Sequence, residues 1–321
     1  MLLSLTDLDS NLLQCLGVFV SFVLTFILTA KLKKYLPQDQ GRAFAVDGAK
    51  SAGKARGAGI IFILVFAICA LLFTDITLEY VIYIVLVTAE MVTGYLDDRS
   101  DKPWGELIKG VLDFVIALIA SITYVYFNGT IVFLSFIGAS IEIPAVLFVI
   151  LSVILIWTAI NVTNCSDGVD GLSASLVIAT LSGFYFIAEV LNNSDIFFNE
   201  QIPVFVAALL AYLWFNANPS TALMGDAGSR AMGIFIAIAA LESGSPLLYI
   251  PLSIVLILDG GLGLVKVSLI RLFKIYILKN IRTPLHDQTR KNMGWSNTQV
   301  VFRFTILQIV VCLMTYYLVL L

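Results

Sequence analysis

Charge is scarce in this sequence. Asp, Glu, Lys and Arg make up 13% of its 321 residues, about half of their usual share in a soluble domain. Histidine is scarcer still, His286 being the sole example, so a histidine-built metal cage is excluded. The four cysteines, Cys15, Cys69, Cys165 and Cys312, lack the spacing of a metal knuckle or a disulfide framework. Period-two alternation is missing, which argues against a membrane barrel. Internal repeats are missing too, which removes the main signature of an inverted-repeat transporter. At a net charge of −3 there is no basic excess for nucleic acid to engage.

What is present is apolar. The chain is 60% hydrophobic with a mean hydropathy of +0.97, and a spanning helix needs about 20 apolar residues. Ten stretches qualify as candidates: about 12–30, 58–74, 80–96, 107–127, 144–160, 172–190, 203–217, 231–242, 247–265 and 304–321. The amino terminus has no basic leader or small-residue cleavage site, so the first stretch reads as a retained helix. The expected fold is all-α, a single polytopic membrane bundle of about ten helices over residues 1–321. Pro251, Gly260, Gly261 and Gly263 break or bend the ninth.

The 19 Lys and Arg residues fall on one side of that map, in or beside loops 31–57, 97–109, 216–230 and 266–303, and loop 161–171, which has none, shares that side. Basic loops mark the cytoplasmic face. The intervening connections carry only acids, among them Asp75, Glu142, Glu189 and Glu200. Both termini are therefore expected outside, in a plasma-membrane protein whose polar motifs face the cytoplasm.

Three acid-bearing segments share that face. Asn161-Val-Thr-Asn164-Cys-Ser-Asp167-Gly-Val-Asp170-Gly-Leu172 is the densest. Asn offers donor and acceptor, and Asp accepts, so the set can hold a nucleoside. An isolated Asn-Asp turn is more often an ordinary Asx turn. Asp97 and Asp98 close the third span. Adjacent carboxylates call for a cation, and hard oxygens suit Mg²⁺, although such pairs are often just solvated. Met224-Gly225-Asp226-Ala-Gly-Ser229-Arg230 enters the eighth span, where a small-residue turn before a helix suits phosphate or a simple N-cap. His286 lies in the last polar loop. Glu90, Asp113 and Asp259 sit inside apolar runs and should face the bundle interior.

On these residues the chain resembles the polyprenyl-phosphate N-acetylhexosamine-1-phosphate transferase superfamily. The 161–172 block matches its Asn-x-x-Asn-x-x-Asp-Gly-x-Asp-Gly-Leu pattern at every fixed position, and Asp97-Asp98 and Met224-Gly225-Asp226 follow suit. Pro284-x-His286, then Gly294-Trp295-Ser296, Gln299-Val300 and Arg303, look most like the phospho-N-acetylmuramoyl-pentapeptide branch. Departures are specific. His286 is followed by Asp287 and Gln288 instead of further histidines. Leu223 stands where an aromatic stacks on uracil, and Lys54 to Gly59 replace a Thr-Pro-Thr-Met-Gly-Gly element.

The resemblance implies Mg²⁺-dependent transfer of phospho-MurNAc-pentapeptide from UDP-MurNAc-pentapeptide to undecaprenyl phosphate, giving lipid I and UMP, by a homodimer. Asp226 would be the metal residue, and Asp97 and Asp98 catalytic. Asn161, Asn164, Asp167, Asp170, Lys109, Lys50 and His286 would bind substrate. Transfer of GlcNAc-1-phosphate from UDP-GlcNAc is the alternative. A secondary transporter using Glu90, Asp113 and Asp259 as a relay is the different-class reading.

Overall fold

A computed structural model describes residues 9–41, 51–100, 102, 104–191 and 198–321, and helix dominates them. Twelve helical segments can be followed in order. They are α1 (Ser10–Leu32), α2 (Gly59–Phe73), α3 (Leu78–Arg99), α4 (Glu106–Asn128), α5 (Ala145–Ser166) and α6 (Leu172–Val190). Then come α7 (Phe198–Asn216), α8 (Gly225–Glu242), α9 (Pro246–Leu252), α10 (Ile254–Phe273), α11 (Leu285–Met293) and α12 (Asn297–Val319). Local chemistry sets several starts. Asp9 accepts the Asn11 amide at 2.9 Å, Thr77 accepts that of Tyr80 at 3.2 Å, and Ser296 with Gln299 forms a reciprocal capping box.

Seven of these helices are long and apolar enough to cross a bilayer, or eight when α9 and α10 are taken as one bent span. This is a multi-pass membrane protein. The other two expected stretches fall short for physical reasons. Helix α2 has 15 residues, roughly 22 Å at 1.5 Å per residue. Helix α8 is buried along its whole length, so it meets protein rather than lipid and can carry Asp226, Ser229 and Arg230.

Small residues let α8 serve as the central post. A Cβ on Gly94 of α3 would come within 2.5 Å of the Asp226 carbonyl, and one on Gly59 of α2 would collide with the backbone of Gly228. Such close approach is how membrane helices gain packing without a hydrophobic driving force. Further from the site, the rings of Phe205 and Phe235 stack at 4.1 Å and Phe66 meets Phe205 edge-on at 4.7 Å. Ile108, Val111, Ile122, Ile150, Phe302 and Ile306 point outward.

The expected break in the ninth span is present: α9 and α10 meet at 69°. Gln308 of α12 stitches it, accepting the Val255 amide at 2.9 Å and donating to the Leu252 carbonyl at 2.7 Å. Thr180 of α6 donates to the same carbonyl at 2.7 Å. Beyond the break, Ile257–Gly261 forms a π-turn.

Short strands add to the all-helical expectation. β1 (Ala55–Arg56) runs parallel to β4 (Ala222–Leu223), while β2 (Ile131–Leu134) and β3 (Ala139–Glu142) form an antiparallel hairpin. Two residues are too few to show a period, and the β1–β4 pairing is non-local, so helical spacing alone does not reveal it.

Candidate active site

One end of the bundle gathers the acid-bearing helix termini. Asp97 and Asp98 end α3, Lys109 begins α4, and Asp226 begins α8. Lys109 Nζ is paired with Asp97 Oδ2 and lies 3.1 Å from Asp226 Oδ2. Asp97 Oδ1 accepts the Trp104 amide at 2.6 Å, which fixes its rotamer. Asp98 accepts the Ala227 amide at 3.3 Å, placing a carboxylate at the positive end of α8. Glycine is required beside it, since Gly225 has φ of +67° and a Cβ there would collide with Asp98.

The first loop supplies a second cation. Arg56 Nε and Nη2 each lie 2.8 Å from Asp98 Oδ1, and Nη2 is 3.7 Å from Asp226 Oδ1. Burial disfavours its charged form, but Asp98, Asp226 and Asp39 outweigh that and hold the guanidinium above its ordinary pKa. Lys54, just before the strand, lies 3.1 Å from Asp170 and 2.8 Å from Ser220 Oγ. Neither cation stands out by spacing in the sequence. Only the register Ala55↔Ala222 and Arg56↔Leu223 carries them to the acids.

The 161–172 block wraps the same end. Asn164 donates to Ser229 Oγ at 2.9 Å, joining α5 to α8. Asp167 caps the carboxyl end of α5. Asp170 accepts the Ser220 amide at 3.1 Å. The buried Asn216 accepts the Gly171 amide at 2.8 Å and donates to the Ala222 carbonyl at 3.0 Å, so the block is tied to β4. Asn161 points deeper, to Asp113 at 3.2 Å and the Trp157 carbonyl at 2.8 Å.

His286 is buried, its amide 2.7 Å and its Nδ1 2.9 Å from the Asp259 carboxylate in the π-turn. Its Nε2 faces Gly168, where a Cβ would collide with it. Thus the broken helix, the last loop and the 161–172 block meet at one histidine. Asp287 pairs with Arg290 at 2.6 Å, and Arg303 lies 4.3 Å above the Trp295 ring. Leu223, in β4, puts an aliphatic side chain beside the turn that carries Asp226. Lys50 lies outside the described residues. Glu90, Asp113 and Asp259 face inward as expected, the first two on Arg230 and the third on His286.

Among the described residues no group of three or more His, Cys, Asp or Glu side chains is placed to hold a metal ion by itself. Mg²⁺ does not require one, because it binds through one or two carboxylates with substrate phosphates completing the shell. The three carboxylates of Asp97, Asp98 and Asp226 gather around two cations, Arg56 and Lys109, which leaves the cluster acidic. The donor set fits a divalent ion completed by phosphate.

Glycosyl transferase family 4 matches residues 80–244, a stretch that contains Asp97, Asp98, Lys109, the 161–172 block and Asp226. Among curated proteins, the phospho-N-acetylmuramoyl-pentapeptide-transferase of Treponema pallidum (strain Nichols) is 40% identical over 313 residues, covering 92% of this chain and 86% of the relative. Proteins of the same name from Thermoanaerobacter sp. (strain X514) and Rickettsia bellii (strain OSU 85-389) are 28% and 27% identical. These cover 94% and 92% of this chain and 97% and 89% of the relatives. A helix-end site of carboxylates and cations, inside the matched region of a multi-pass bundle, agrees with that kinship: the chain belongs to glycosyl transferase family 4 and is a membrane phosphoglycosyl transferase.

Proposed function

We propose that this enzyme transfers phospho-MurNAc-pentapeptide from UDP-MurNAc-pentapeptide to undecaprenyl phosphate, releasing UMP and forming lipid I at the cytoplasmic face of the plasma membrane. The observation that carries the reading is Lys109 spanning Asp97 and Asp226, which come from different helices. The names of the relatives support the donor, and the one-sided basic loops support the orientation. The superfamily resemblance supports a homodimer.

The chemistry is a displacement at phosphorus. An oxygen of the lipid phosphate attacks the sugar-bound phosphorus in line, the bond to the UMP oxygen breaks, and a new diphosphate remains on the lipid. A phosphate monoester has a second pKa of about 6, so the nucleophile is already dianionic near neutrality and needs no dedicated base. Asp226 would hold a divalent cation, which when bound neutralises the donor diphosphate and the leaving UMP. Lys109 and Arg56 balance charge on the phosphates as it shifts. Asp97 and Asp98 orient those cations. Asn164, Asp167 and Asp170 hold the nucleoside end, and His286 contacts phosphate.

The membrane setting follows from the substrates. A polyprenyl tail gains about 0.8 kcal/mol per buried methylene and stays in lipid, while a nucleotide diphosphate stays in water. The reaction must occur at the boundary. The bend between α9 and α10 is the proposed seat of the tail.

Asp287 and Gln288, standing where the resemblance expects more histidines, keep UDP-GlcNAc as a rival donor. Purified enzyme given each UDP-sugar separately should release UMP with UDP-MurNAc-pentapeptide and not with UDP-GlcNAc. The reverse preference would reject the proposed donor.

A further inference from the structure

Directly beneath the mouth of the site lies a second set of charges on the same helices. Arg230 follows Asp226 by four residues on α8, and Asp113 follows Lys109 by four on α4. Glu90 precedes Asp97 by seven on α3, and Asn161 precedes Asn164 by three on α5. Spacings of three, four and seven keep side chains on one helix face. Each deeper residue therefore sits one or two turns below a mouth residue, about 5.4 Å per turn.

The pairing pattern repeats with the cation moved to another helix. At the mouth, Lys109 of α4 joins Asp97 of α3 to Asp226 of α8. Below, Arg230 of α8 joins Glu90 of α3, at 2.8 Å, to Asp113 of α4. Asn161 donates to the free side of Asp113 at 3.2 Å. Glu90, Asp113 and Arg230 are 0%, 2% and 3% exposed. Nε and Nη1 of Arg230 have no hydrogen-bond partner among the described residues, so the guanidinium is held by its two carboxylates alone.

Stability does not account for such a triad. Replacing a buried ionic triad by apolar groups of similar volume is often neutral or stabilising. What the triad supplies is geometry. A single guanidinium nitrogen, Nη2, reaches carboxylates of two other helices only at one rotation and one height of the three, whereas apolar surfaces in lipid have no comparable preference. We infer that Arg230, with Glu90 and Asp113, forms a positioning triad that sets the register of α3, α4 and α8, so that Lys109 bridges Asp97 and Asp226. The inference rests on the mouth being the catalytic site.

The test uses full-length enzyme carrying Glu90→Leu, Asp113→Leu and Arg230→Met together, compared with Arg230→Lys alone. Thermal midpoint in detergent, kcat and donor KM are measured for each. A small misplacement of catalytic groups costs about ten- to a hundredfold in rate. The triple variant should keep or raise the midpoint, lose kcat to that extent, and hold donor KM within about twofold. Arg230→Lys, which keeps a cation, should recover part of kcat. A triple variant with undiminished kcat overturns the inference. So does one that no longer folds, because the triad would then carry stability rather than register. Asp226→Asn separates the two levels. Full activity in that variant sinks the reading of the mouth itself, whereas an inactive Asp226→Asn beside a fully active triple variant sinks only the triad.

Discussion

Lys109 is the residue on which the acids converge, since it touches carboxylates from two other helices. Removing a preorganised charge from a reacting site typically costs about 10²–10³ in kcat. Lys109→Met should show a loss of that order, measured by UMP release, with an unchanged thermal midpoint. A variant within a fewfold of wild type would remove Lys109 from the chemistry. The acids were legible in the sequence because they come in ordered blocks: 161–172 alone defines most of one wall. Lys54 and Arg56 were legible only as members of a basic loop. Their partners, Asp170 and Asp98, are chosen by a strand pairing that no local pattern encodes. His286 is legible as the sole histidine, in the last polar loop, but its anchor is not. The sequence places Asp259 facing the bundle interior, and the π-turn brings its carboxylate onto the imidazole.

At the scale of elements, the broken ninth span shows what sequence can and cannot anticipate. Proline and clustered glycines announced a break, and a 69° bend is there. The device that makes it tolerable in a membrane is remote: Gln308, on the last helix, serves both sides of the break. Backbone groups left unpaired in an apolar setting are costly. Gln308→Leu leaves the Val255 amide without its partner, while Thr180 still serves Leu252. The expected loss is about 1–3 kcal/mol of stability, seen as a lowered thermal midpoint. An unchanged midpoint would show that the break is held by packing alone. Helix α8 makes the converse point. The sequence offers 231–242 as a spanning stretch, short for one, and burial along the whole of Gly225–Glu242 places it inside the bundle.

Across the whole molecule, charge is distributed by side rather than by amount. The net charge of −3 conceals basic loops at the end that carries Asp97, Asp98 and Asp226, and acid-only connections at the other. That asymmetry predicts topology. In a cysteine-free background, Ile137→Cys, in the exposed β2–β3 hairpin, should react in intact cells with a membrane-impermeant maleimide. Lys291→Cys, exposed at the end of α11, should react only after the membrane is opened. The opposite pattern would invert the protein and place the acids outside, away from any cytoplasmic nucleotide.

Asp226, brought to a helix start beside carboxylates from another helix, is the proposed meeting point of a divalent ion and the two substrates. The most direct measurement compares wild-type and Asp226→Asn enzyme, purified, stripped with EDTA and incubated with undecaprenyl phosphate and UDP-MurNAc-pentapeptide across a Mg²⁺ titration. The lipid product is identified by mass. Wild type should form lipid I only as Mg²⁺ is restored, and folded Asp226→Asn should form none at any concentration. Lipid I made by Asp226→Asn at the wild-type rate, or by stripped wild type without added metal, would contradict it.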